Sequence, residues 1–148
     1  MASRLYFAEP QAGYATRPPV VVDASVVAAI VFAEPELELA HARLGGFAAV
    51  APALLDIEIA NVVVTRLRRR TIAPDVAIQV MQDLADLPIE RAAVESAELP
   101  LLADRFGLTA YDAAYLWLAA SLRAPLATFD ARLGDAATQL LAGRLPRA

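Results

Sequence analysis

The segment Val20-Val21-Val22-Asp23-Ala24-Ser25 sets the class of the fold, since a run of β-branched residues ends there at a carboxylate. An apolar run without alternation is typical of a strand that is buried on both faces of a parallel sheet. We expect Ser25 to cap a following helix over residues 26–32, because its side chain can accept a hydrogen bond from a free backbone N–H group. This strand-to-helix unit favours an α/β domain.

The rest of the chain alternates between strands and helices in the same way. Helices are predicted over 36–44, 52–70, 75–87, 96–106, 110–122 and 131–141, and strands over 47–51, 88–91 and 125–128. This order favours one α/β domain, with a parallel sheet flanked by helices and right-handed crossovers. We expect residues 1–19 to form a flexible N-terminal tail, residues 20–142 the domain, and residues 143–148 a C-terminal tail.

The composition excludes several classes of protein. The chain has 148 residues, no cysteine and a single histidine, and all of its 13 basic residues are arginine. Disulfide scaffolds, cysteine nucleophiles, zinc sites with two imidazoles, and lysine-dependent chemistry such as receiver-domain signalling are therefore excluded. The net charge of −4 argues against a protein that is basic over its whole surface. We expect the histidine, His41, to lie on the surface of a helix.

No segment is predicted to cross a membrane or to direct export. The longest uncharged apolar runs, 26–33 and 113–120, are much shorter than the roughly 18 residues that a membrane span requires. The residues after Arg4 are too few for the apolar region of a signal peptide, and they lead directly into Glu9 and Pro10. We therefore expect a cytoplasmic protein.

Four acidic side chains stand in apolar surroundings, at positions that a layered α/β fold directs toward one crevice. Asp23 and Asp130 each follow a predicted strand, where the ligands of open α/β sheets bind. Glu58 lies in the helix after the second strand, and Asp112 lies in the first turn of an apolar helix. Buried carboxylates need a partner, and the chain has no lysine to supply one. A divalent cation that prefers oxygen ligands, Mg²⁺ or Mn²⁺, fits this pattern.

Three of these acids also have simple structural roles open to them. Thr109 and Asp112 have the spacing of a capping box, and Asp130 is suited to cap the last helix. Asp23 can accept backbone N–H bonds in the turn between strand and helix. Glu58 has no such role, because it lies in the middle of a helix. The shared placement of all four acids is explained better by a common metal site.

Four short segments form a pattern that extends over residues 20–141. They are Val21-Val22-Asp23-Ala24-Ser25, Glu58-Ile59-Ala60-Asn61-Val62, Thr109-Ala110-Tyr111-Asp112-Ala113-Ala114-Tyr115-Leu116 and Thr128-Phe129-Asp130 followed by Leu133. Together they resemble the PIN domain and, more narrowly, the VapC-type ribonuclease toxins of bacterial toxin–antitoxin pairs. The resemblance implies a PIN-like doubly wound parallel sheet and cleavage of RNA that depends on Mg²⁺ or Mn²⁺.

The resemblance also implies site residues and partners. The acids that it makes catalytic and metal-binding are Asp23, Glu58, Asp112 and Asp130, with Ser25 and Thr109 as polar neighbours. It implies a homodimer that binds a cognate antitoxin protein. Without cysteine, lysine or a well-placed histidine, the sequence offers no candidate for a covalent nucleophile or an imidazole base, so we expect water held by the metal to attack the phosphate. The alternative is a PIN-like module that binds RNA or a protein without cleaving.

A run of arginines, Arg66, Arg68, Arg69 and Arg70, ends the helix that carries Glu58. It favours either a stabilising interaction with the helix C-terminus or a patch that contacts RNA phosphates. Along the later apolar helix, Tyr115 and Trp117 are predicted to pack in the core.

Overall fold

The computed structural model of the protein describes residues 17–143. The elements of this range are β1 (Pro19–Val22), α1 (Ala24–Val31), α2 (Leu37–Leu44), β2 (Ala48–Pro52), α3 (Leu55–Arg68), α4 (Pro74–Asp86), β3 (Ile89–Ala92), a 3₁₀ helix (Ser96–Glu98), α5 (Leu99–Phe106), α6 (Ala110–Leu122), β4 (Leu126–Ala127) and α7 (Ala131–Ala142). The predicted tails fall largely on residues 1–16 and 144–148, which lie outside the described residues.

The four strands form one parallel sheet in the order β3-β2-β1-β4. The chain passes from β1 through β2 to β3 and then returns to place β4 on the other side of β1. The predicted doubly wound α/β fold with flanking helices is therefore confirmed. Val21 pairs with Val50 on one side and with Leu126 on the other. The direction of winding reverses between β1 and β4, and ligands of such sheets bind outside the carboxyl ends of the strands at this point.

The core is built around β1 and α6. Val20, Val21 and Val22 are 4%, 0% and 1% exposed, as expected for a strand covered on both faces. Burying each of these side chains contributes about 1.5–3 kcal/mol. Tyr115 on α6 is also buried, as predicted. Trp117 is half-buried and packs against the core, as predicted, and its Nε1 donates to Glu98 Oε2 at 2.7 Å. None of the helices in the described range is long and apolar enough to span a bilayer.

Two local predictions about helix starts are wrong. The N-cap of α1 is Asp23 rather than Ser25, because a carboxylate oxygen accepts from the backbone N–H of Val26 while Ser25 lies in the first turn. Pro52, predicted to open a helix, instead ends β2, where it pairs with Ala92 of β3. The exposed position of His41 on α2 agrees with the prediction.

Candidate active site

Asp23 is the one charged side chain that is buried within residues 17–143, with 5% of its surface exposed. Its Oδ1 accepts hydrogen bonds from Ser25 Oγ at 2.6 Å and from the backbone N–H of Val26 at 3.1 Å. Its Oδ2 accepts from Thr128 Oγ1 at 2.6 Å. Burial raises the pKa of Asp23, and these hydrogen bonds oppose part of that rise. The carboxylate is therefore held in one orientation by hydroxyls from two adjacent segments.

The two hydroxyls that contact Asp23 are themselves fixed by the backbone beyond β4. Ser25 Oγ accepts from the N–H of Phe129 at 2.9 Å, and Thr128 Oγ1 accepts from the N–H of Asp130 at 2.9 Å. Ser25 is thus a direct polar neighbour of Asp23. Thr128 was missed as a site residue, although an alcohol at the end of a strand, two residues before an acid, was an available signal.

Glu58 is half-buried and lies in the first turn of α3, not in the middle of a helix as predicted, because the helix begins at Leu55 rather than at Pro52. It makes one long-range hydrogen bond. Its Oε2 accepts from the hydroxyl of Tyr115 at 3.3 Å, whereas its Oε1 is buried without a hydrogen-bond partner in the described chain. Burial and the negative charges of Asp112 and Asp23 raise the pKa of Glu58 to about 7, although the bond from Tyr115 opposes the rise. Burial and the neighbouring carboxylates also raise the pKa of Tyr115, so its hydroxyl remains a donor. Tyr115 therefore belongs to the site as well as to the core.

Asp112 lies in the first turn of α6, beside its N-cap Thr109. Thr109 Oγ1 accepts from the N–H of Asp112 at 3.1 Å, and its hydroxyl lies 3.0 Å from Asp112 Oδ2. Thr109 therefore caps α6, and Asp112 contacts the hydroxyl of Thr109 rather than the backbone N–H that a capping box would use. This contact does not remove Asp112 from the acidic group, because the charge of Asp112 acts on both Glu58 and Tyr115.

Asp130 stands apart from the other three acids. Its side chain is exposed and caps α7, where Oδ1 accepts from the N–H of Leu133 at 3.0 Å. It is not among the charges that shift the pKa of Asp23, Glu58 or Tyr115. The structure thus brings Asp23, Glu58 and Asp112 into one electrostatic group, hereafter the acidic cluster, and places Asp130 at its rim.

The acidic cluster fits a divalent cation in its chemistry. Among residues 17–143, no three Asp, Glu or His side chains converge closely enough to hold one ion as they are placed. Glu58 Oε1 nevertheless is a buried acceptor without a donor, and its pKa is raised partly by two like charges. A cation that prefers carboxylate oxygens supplies the partner that this oxygen lacks and relieves the repulsion. Asp23, Glu58 and Asp112 are the residues that would hold it.

Comparisons with known proteins agree with this fold. The profile of the PIN domain family matches residues 20–139. The chain belongs to the PIN domain family. It is 28% identical over 116 residues to Ribonuclease VapC12 of Mycobacterium tuberculosis, in strains CDC 1551 / Oshkosh and ATCC 25618 / H37Rv, covering 78% of this chain and 90% of the relative. The predicted resemblance is thus confirmed. The crystal structure of PAE2754 from Pyrobaculum aerophilum, at 20% identity, shares the fold with a TM-score of 0.64 over 92% of this chain and 97% of the other.

The arginine run of this PIN domain divides into two parts. Arg66 forms an ion pair with Glu34 and lies over the ring of Phe32, 3.8 Å from its centroid. It therefore ties α3 to the segment that follows α1. The three residues that follow at the end of the helix, Arg68, Arg69 and Arg70, are exposed.

Proposed function

We propose that this PIN domain is a metal-dependent endoribonuclease that hydrolyses RNA phosphodiester bonds with water activated by Mg²⁺ or Mn²⁺. The observation that carries the proposal is Glu58 Oε1, a buried oxygen that has no hydrogen-bond donor among residues 17–143, on a side chain whose pKa is raised by burial and by the charges of Asp112 and Asp23. Oxygen ligands of this kind favour Mg²⁺ and Mn²⁺ over softer metals. RNA as the substrate is supported by the similarity to a relative named as a ribonuclease.

In this proposal, each acid of the cluster is oriented by at least one neighbouring hydroxyl group. Asp23 is held by Ser25 and Thr128, Glu58 by Tyr115, and Asp112 by Thr109. When bound, the ion lowers the pKa of a water ligand and offsets negative charge on the phosphate. We assign Asp130, which lies at the rim, to completing the ligand set or orienting water. A metal site of this kind needs its carboxylates oriented before the substrate binds, because a misplaced ligand lowers the rate of catalysis.

We further propose that the nuclease is the toxin of a toxin–antitoxin pair in the cytoplasm, and that it forms a homodimer and binds an antitoxin protein. The similarity to a VapC protein supports this biological role. Exposed apolar side chains on α3 and α4 offer surface for protein contacts, since Ile57 is 74% exposed and Ile78 is 61% exposed.

The direct test is cleavage of total bacterial RNA by the purified protein with Mn²⁺ or Mg²⁺. We expect cleavage that EDTA abolishes and that is lost in both Asp23→Asn and Asp112→Asn. Asp75→Asn is the matched control, because Asp75 is an exposed acid in the first turn of α4. RNA binding without cleavage by the parent protein, or cleavage that persists in EDTA, would contradict the proposal.

A further inference from the structure

Two exposed aromatic side chains stand next to the acids of the site. Of the aromatic residues in the described chain, Tyr111 and Phe129 are the exposed ones, at 65% and 40% of their surface. Tyr111 directly precedes Asp112, and Phe129 directly precedes Asp130. Single exposed apolar side chains are common on protein surfaces, so the significance of these two rings lies in their position directly before two acids of the site.

Both side chains start from backbone that the site itself holds in place. The N–H of Phe129 donates to Ser25 Oγ, which in turn donates to Asp23. Tyr111 lies within the first turn of α6, between Thr109 and its hydrogen-bonded partner Asp112. A ligand that stacks on either ring therefore meets a surface whose backbone is already ordered, which lowers the entropy cost of binding.

Phe129 also forms one wall of a cleft between α2 and β4. The cleft has a volume of about 520 Å³, and Leu39, Arg43 and Leu44 contribute to its lining. Thr128, which contacts Asp23, lines the same cleft. This volume lies within the range of roughly 300–1,000 Å³ that is typical of sites for small ligands. The apolar walls can contact a base, and the guanidinium group of Arg43 can contact its phosphate.

We propose that Tyr111 and Phe129 stack on unpaired bases of the RNA, with the base at Phe129 entering the cleft between α2 and β4. The inference rests on the proposed ribonuclease function and assigns two residues of that site to contacts with bases. Bases are uncharged, so they approach the acidic cluster without the repulsion that phosphates meet there. A base in a duplex has its faces covered by its neighbours, whereas an unpaired base can stack on a protein ring.

The test measures the rate of cleavage of total bacterial RNA as a function of RNA concentration. We expect Tyr111→Ala and Phe129→Ala each to raise the half-saturating concentration about 5- to 150-fold, which is the effect of losing one base stack. Tyr111→Phe and Phe129→Tyr keep the ring and should match the parent protein. Leu101→Ala is the matched control, because it removes an exposed apolar side chain from α5. Thermal unfolding should be unchanged in the Tyr111 and Leu101 variants, and Phe129→Ala should remain folded at the temperature of the assay although it loses some packing.

A second arm tests the requirement for unpaired RNA. The ends of the cleavage fragments locate the cut segment, and a complementary DNA strand annealed over that segment should stop cleavage there. Undiminished cleavage of the paired segment would overturn the inference.

The failure of this inference can be distinguished from failure of the proposed function. Alanine variants with the parental half-saturating concentration, in a parent that cleaves RNA, overturn the stacking inference alone. A parent that cleaves no RNA overturns the nuclease function and the inference with it. If Tyr111→Ala and Phe129→Ala change the sedimentation of the protein without changing RNA cleavage, the two rings belong to a protein interface and the inference is wrong.

Discussion

The hydroxyl of Tyr115 donates to Glu58 Oε2 at 3.3 Å and so joins the hydrophobic core to the acidic cluster. The ring of Tyr115 is 1% exposed and is packed within the core formed by β1, β2 and α6. Its hydroxyl therefore cannot follow Glu58 if that side chain moves. Oε2 of Glu58 accepts from this fixed donor, and Oε1 has no hydrogen-bond partner within the part of the chain that the structure describes.

We expect Tyr115→Phe to lower the free energy of unfolding by about 1 kcal/mol, the usual net contribution of one hydrogen bond. It should also weaken Mn²⁺ binding, because Glu58 is then free to adopt other orientations. Urea unfolding in EDTA and calorimetric titration with Mn²⁺ measure the two effects. Tyr111→Phe is the control, since the ring of Tyr111 is largely exposed. Equal stability and equal Mn²⁺ affinity in the two variants would show that the Tyr115 hydroxyl has no such role.

The raised pKa of Glu58 predicts that the metal-free protein loses stability as the pH rises. Its pKa is about 7 in the folded protein and 4.5 ordinarily, so between these values the folded state binds more protons than the unfolded state. The free energy of unfolding therefore falls from about pH 4.5 upward and levels off above about pH 7. Because Glu58 is only half-buried, solvent screening limits the loss to about 1 kcal/mol.

This pH dependence is measured by urea unfolding in EDTA between pH 5 and pH 8. Glu58→Gln should flatten the profile over this interval, because it removes the group that titrates. Asp75→Asn should retain the parental slope. A parental profile in Glu58→Gln would assign the slope to other groups.

Local signals in the sequence predicted most of the fold and part of the site. Two of these signals each involve only a few neighbouring residues: the apolar run before Asp23 predicts a strand, and the spacing of Thr109 and Asp112 predicts the start of a helix. The structure contains both β1 and the start of α6. The contacts that complete the site are long-range. Tyr115 is 57 positions from Glu58, and Thr128 is 105 positions from Asp23. The periodicity of apolar residues predicts which face of a helix or strand such a residue lies on. It does not predict which side chain from a distant segment contacts that residue.

Mn²⁺ should raise the midpoint of thermal unfolding of the parent protein. A ligand that binds only the folded state stabilises it by about 2.7 kcal/mol at 100 times its dissociation constant. Asp23→Asn and Glu58→Gln should lose most of this stabilisation, because each removes a carboxylate of the cluster. Asp75→Asn should keep it, and melting curves with increasing Mn²⁺ compare the four proteins. Stabilisation of equal size in Asp23→Asn would place the ion elsewhere.

Thr128→Val should destabilise the protein by about 1.5–3 kcal/mol, as expected for loss of a hydrogen bond to a charged group. The substitution keeps the shape of the side chain but leaves Asp23 Oδ2 and the N–H of Asp130 without their partner. Thr128→Ser retains the hydroxyl and should restore most of the stability and the Mn²⁺ affinity. If the serine variant were as unstable as the valine variant, packing of the methyl group would be responsible instead.

The division of the arginine run predicts two different results from arginine substitutions. Arg66→Ala should cost about 1 kcal/mol of stability, because it removes the ion pair with Glu34 and the contact with the Phe32 ring. Its effect on RNA affinity should be small. Replacing Arg68, Arg69 and Arg70 together by alanine should leave stability nearly unchanged and weaken RNA binding, since these exposed side chains are free to contact phosphates.

The salt dependence of RNA binding separates these effects, and it is best measured in Asp23→Asn protein so that the RNA is not cut. Each lost phosphate contact reduces the slope of log affinity against log salt by about 0.7 for a single strand, so the triple variant should lose up to about 2 from its slope. Arg66→Ala is the matched control and should keep the parental slope, because Arg66 is paired with Glu34. An unchanged slope in the triple variant would show that these arginines do not contact RNA phosphates. Their role would then be the stabilising interaction with the C-terminus of α3.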